Sequence, residues 1–87
     1  MIKVIVIMAN FFVQLHYVDD GQHVYQLKGV DKGIEYNVTY VGKALPVDDN
    51  KKFFAAIEAE CETVIMPSLN GMSKRIELCE AKDIHYE

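Results

Sequence analysis

The chain has 87 residues, 51% of them hydrophobic and 25% charged, with a formal net charge of −4. That length holds one domain, residues 1–87, with a thin core burying roughly 60–65% of the unfolded surface. The composition excludes a disordered chain. Charge is uneven: residues 1–47 set four lysines against four carboxylates, and residues 48–87 set five basic against nine acidic side chains. Nothing basic is clustered, so a phosphate-tracking nucleic-acid surface is disfavoured.

The chain opens on Ile2-Lys3-Val4-Ile5-Val6-Ile7-Met8-Ala9. A half-buried strand alternates apolar and polar residues, but from Val4 to Ala9 both faces are apolar. The run lacks a small-residue cleavage pattern and is too short for a membrane helix, so it reads as neither signal peptide nor anchor. It wants cover on two sides, from Thr63–Pro67, from Lys74–Leu78 or from another chain.

Asn10 to Tyr17 alternates cleanly, with Phe11, Val13, Leu15 and Tyr17 inward. A three-residue loop at Asp19-Asp20-Gly21 pairs Tyr17 with His23, Leu15 with Tyr25 and Val13 with Leu27. A loop of two or four residues around Asp31-Lys32-Gly33-Ile34 then opposes Val30 to Glu35, Leu27 to Val38 and Tyr25 to Tyr40. One face of this meander is apolar. The other carries Asn10, Phe12, Gln14, His16, Gln26, Asn37 and Thr39.

Gly42 to Pro46 ends the meander. Asp48 or Asp49 suits a helix N-cap, and Phe53, Phe54, Ile57 and Cys61 recur at helical spacing, which predicts a helix to about Glu60 or Glu62. Thr63–Pro67 returns as a strand, and Ser68-Leu69-Asn70-Gly71 is a turn. Residues 73–82 alternate as a strand, although the same residues suit a helix capped by Ser73. The fold class expected is α+β: a mainly antiparallel sheet of about five strands (βββαββ) with one amphipathic helix packed on one face.

Metal spacing is missing, and His16 and His23 fall on opposite faces of the hairpin, so no metal or cofactor is expected. Cys61, at a predicted helix end among Glu58, Glu60 and Glu62, has no activating neighbour, and Cys79 has no positional reason to react. Two cysteines in a domain with an ordinary core read as reduced thiols of a cytoplasmic protein. No pair of carboxylates faces another across a cleft, so no enzyme is expected.

Phe12 is different, an apolar residue on the outer face ringed by polar ones, as at the centre of an interface. The sequence therefore predicts a small acidic non-catalytic interaction protein that binds a protein partner and forms a homo-oligomer. It suits an accessory or inhibitor role of the kind phages and mobile elements encode. Strand one and the outer sheet face, with Phe12, Gln14, His16, Gln26 and Asn37, would carry the contacts, with Glu58, Glu60 and Glu62 as an acidic secondary surface. The competing reading is a small-molecule or enzymatic pocket between helix and sheet, lined by His23, Tyr25, Tyr36 and Tyr40.

Overall fold

A computed structural model describes residues 2–19, 21–43, 45, 51–67 and 71–86. Five strands account for nearly all of them: β1 (Ile2–Asp19), β2 (Gln22–Asp31), β3 (Ile34–Gly42), β4 (Lys52–Pro67) and β5 (Ser73–Tyr86). They close into a barrel in the order β1-β2-β3-β5-β4. Every ladder is antiparallel except β3 with β5, which is parallel. The sheet is therefore mixed, mainly antiparallel with one parallel ladder.

Stepping across the ladders from Phe12 through Lys28, Asn37, Leu78 and Glu62 returns to β1 at Ile2, ten residues from the start. That stagger is large for five strands, so each strand is strongly tilted and the narrow lumen is filled by side chains. Strand order, parallel contact and closure together are those of a Greek-key barrel of the OB type.

The helix expected from Asp48 or Asp49 to Glu62 is corrected to strand from Lys52 onward; positions 48–50 lie outside the described residues. Side chains decide the matter. Ala55, Ile57, Ala59 and Cys61 are each at most 1% exposed, whereas Glu58 and Glu62 face solvent. That is a period of two, which a strand satisfies and a helix cannot. The class is all-β, and α+β is withdrawn.

The N-terminal run finds its cover here. Val4 pairs with Glu60 and Ala9 with Ala55, so β1 is paired by residues read as helix and by neither expected strand. The β2–β3 register is as expected, including Val30 with Glu35 and Tyr25 with Tyr40. Its loop has two residues, and Lys32 and Gly33 both have positive φ (53° and 78°), as a type I′ hairpin turn requires.

The β1–β2 register is as expected from Phe11 to Leu15. A bulge between Leu15 and Tyr17 then moves Tyr17 opposite Val24 rather than His23 and leaves Asp19 opposite Gln22. The bulge reconciles a tight loop with an inward Leu15, because one extra residue on β1 restores the parity.

Phe11, Val13, Leu27, Val38, Ile57 and Cys61 are fully buried in the lumen. Cys61 and Cys79 are direct partners on β4 and β5, and they form a disulfide. The expectation of reduced thiols is corrected, and with it goes the basis on which a reducing compartment was inferred.

One end of the lumen is polar. Glu77, 1% exposed, accepts hydrogen bonds at Oε1 from Lys3 Nζ (2.9 Å), Thr63 Oγ1 (2.7 Å) and the Arg75 guanidinium (2.9 Å). Burial alone would raise this carboxyl's pKa, but the bonds from Lys3, Thr63 and Arg75 and the Lys3 charge outweigh it and hold the pKa below the ordinary value. The cluster ties β1, β4 and β5 together where the hydrophobic filling stops.

Candidate interaction surface

Alternation on β1 divides the N-terminal run into two rows. Ile7 and Ala9 point into the lumen and are buried, with Ile5 packed against the same core. Ile2, Val4, Val6 and Met8 point out and are 68, 56, 65 and 59% exposed. Four consecutive outward positions of one strand thus form an apolar stripe in water. Scattered exposed apolar residues are ordinary, but a contiguous row marks an interaction surface.

The stripe has a different neighbour on each side. Toward β4, Ile2, Val4 and Val6 stand opposite Glu62, Glu60 and Glu58. The three acids expected at a helix end therefore form a carboxylate row beside the stripe. Glu60 also stands opposite Glu80, a repulsion eased by Lys82, whose Nζ lies 2.8 Å from Glu60 Oε1. On the other side β1 meets β2 only from Phe11 onward.

The remaining expected contact residues lie farther along the barrel. Phe12 is outward and 37% exposed, opposite Lys28 on β2 and Lys52 on β4. It borders a hollow of about 310 Å³ with Asn10, Val30 and Glu35. Gln14 is exposed opposite Gln26. His16 sits at the β1 bulge, and its side chain lies outside the described residues.

Gln26 donates from Nε2 to Asn37 Oδ1, and its Oε1 accepts from Thr39 Oγ1 at 3.4 Å. These amides hold one another across β2 and β3. A groove of about 370 Å³ joins Gln26, Asn37 and Thr39 to Leu78, Glu62 and Glu80, so two of the expected polar contacts meet one of the expected acids. Phe12 and Gln14 are not among its lining residues.

The pocket imagined between helix and sheet is absent from the described structure, because β4 replaces the helix. Tyr25 is 4% exposed, and its hydroxyl oxygen accepts from the Leu45 N–H at 3.1 Å. His23, on the same strand, and Tyr40, on the neighbouring strand, both stack with Tyr25, with ring centroids 5.9 and 6.3 Å away. Tyr25 belongs to the core, and Tyr36 and Tyr40 pack against it. Among the described residues no three His, Cys, Asp or Glu side chains come together to hold a metal.

Sequence reasoning gave the first strand a share of the contacts through its doubly apolar run, but it did not single out Ile2, Val4, Val6 and Met8 as the outward row. It also passed over Ile65, Met66 and Met72, exposed by 58, 50 and 71%, where β4 and β5 extend past the β3 ladder. Neither a protein-family model nor a curated protein matches this sequence.

Proposed function

We propose that this chain is a non-catalytic binding protein that acts by associating with another macromolecule and that self-associates through the outward face of β1. The observation that carries this reading is the row Ile2, Val4, Val6 and Met8, each more than half exposed on the strand whose inward residues fill the core. Burying such a row removes roughly 25 cal/mol for each Å² taken from water. The groove joining Asn37 and Gln26 to Glu62 supplies a polar margin for a protein partner, in keeping with an accessory or inhibitory role. Light scattering over a concentration series tests the reading. A mass rising toward that of two chains supports it, and the mass of one chain throughout contradicts it.

A second reading is favoured by one arrangement. Phe12 lies between Lys28 and Lys52, and the neighbouring position, Asn10, pairs with Phe54, itself 44% exposed. Aromatic faces beside cations suit single-stranded nucleic acid. Barrels of this type often bind oligonucleotides, although that support is analogy of fold. It runs against the expectation from overall charge. Titration with a fluorescent oligothymidine decides: binding that weakens with salt and is lost in Phe12→Ala supports it, and no binding at low salt removes it.

A further inference from the structure

We infer that the free edge of β1 pairs antiparallel with the same edge of a second copy, so that two barrels share one continuous sheet; this rests on the self-association proposed above. Among the described residues, the only ladder of β1 from Ile2 to Asn10 is the one to β4. The opposite edge of that segment is nine residues long, about 30 Å at strand rise, and none of the described strands lies beside it. Its unpaired N–H and C=O groups template another strand.

Natural edges are blunted by proline, by outward charge or by bulges. None of these occurs between Ile2 and Asn10. The segment's one charged residue, Lys3, is spent inward on Glu77 at 2.9 Å. An edge this long, apolar and undefended is built for a partner strand.

The choice of a second copy follows from symmetry and charge. In an antiparallel pair centred on Ile5, Ile2 faces the partner's Met8 and Val4 faces the partner's Val6. All four stripe residues then meet stripe residues, and no charged side chain opposes another on the outer face. The carboxylate rows on the two β4 strands end up three strand spacings apart, about 14 Å. That exceeds the Debye length of about 8 Å at physiological salt. Self-pairing thus joins the apolar rows and keeps the acidic ones apart.

Amide hydrogen exchange on the full chain, below and above the association midpoint found by light scattering, tests the pairing. Edge pairing slows alternate amides between Ile2 and Asn10 by more than about tenfold at the higher concentration, since every second residue points its N–H at the free edge. Val6→Lys, which puts a charge into the joined rows, abolishes that change. Association without new protection overturns edge pairing but leaves self-association through the outward face standing. A single-chain mass at every concentration overturns both. Protection of both sets of amides in the dilute monomer shows the edge to be covered already, and also overturns the inference.

Discussion

Lys3 Nζ lies 2.9 Å from Oε1 of Glu77, joining residues 74 positions apart in a chain of 87. The contact fixes the start of β1 to β5, across β4, at the polar end of the lumen. Glu77 Oε2 is enclosed with no hydrogen-bond partner among the described residues, so the cluster depends on what Oε1 receives. Lys3→Met is expected to destabilise the fold by about 1–3 kcal/mol, because a buried carboxylate loses a charged donor. Urea unfolding checks it through a lower midpoint at unchanged slope.

The same carboxyl sets an acid limit. Its pKa is held below the ordinary carboxyl value, so the unfolded chain binds the proton more readily than the folded one. Its contribution is fully present above the unfolded value and is lost as pH falls through the lower folded value. Glu77→Gln removes this part of the pH dependence. Unfolding free energies measured from pH 6 to pH 3 should fall less steeply in the variant than in the parent chain.

The barrel was only partly legible in the sequence. The β2–β3 register followed from Lys32-Gly33 and the alternation of Tyr25, Leu27, Val38 and Tyr40, since a tight turn and a one-sided pattern leave little freedom. For β4, Ala and Glu are strong helix formers, and Phe53, Phe54, Ile57 and Cys61 mimic a helical stripe. The contrary signal was present in Ile57-Glu58-Ala59-Glu60-Cys61-Glu62, which alternates without a fault. Closure through the parallel β3–β5 ladder had no local signature, so the mutual position of Asn37 and Glu62 was out of reach. Phe12 could be placed outward by parity alone, whereas the acidic row moved from a helix end to the flank of the stripe.

Ala59 offers a direct check on β4 as strand. It is 0% exposed and pairs with Ile5 on the neighbouring strand β1. Ala59→Leu is expected to cost about 1–3 kcal/mol through overpacking. Glu58→Gln, one residue away and exposed, should stay within about 0.5 kcal/mol of the parent. Denaturation midpoints separate the two.

Gly29 is held small by Phe11. A Cβ there would come within 2.8 Å of Phe11 Cδ1 and 3.1 Å of the Asn10 carbonyl oxygen, and the Phe11 ring is fully buried. Gly29→Ala should destabilise by about 1–3 kcal/mol. Phe11→Leu in the same chain should make the alanine less costly, a coupling that a double-mutant cycle reads directly.

The disulfide joins Cys61 and Cys79, which are 18 positions apart. By loop-closure entropy its removal costs about 3 kcal/mol. Thiol titration of the denatured chain should find no free cysteine before reduction and two after it. The Cys61→Ala, Cys79→Ala double variant should unfold at a correspondingly lower denaturant concentration.

Sedimentation velocity of the parent chain beside Val6→Lys bears most directly on the claim that the outward face of β1 is an association surface. Val6 is 65% exposed, so the lysine leaves the single barrel intact and, at concentrations where the parent is monomeric, its denaturation midpoint unchanged. The account predicts a parent chain that shifts from one-chain to two-chain sedimentation as concentration rises, and a variant that stays at one. A variant that associates as the parent does would contradict it.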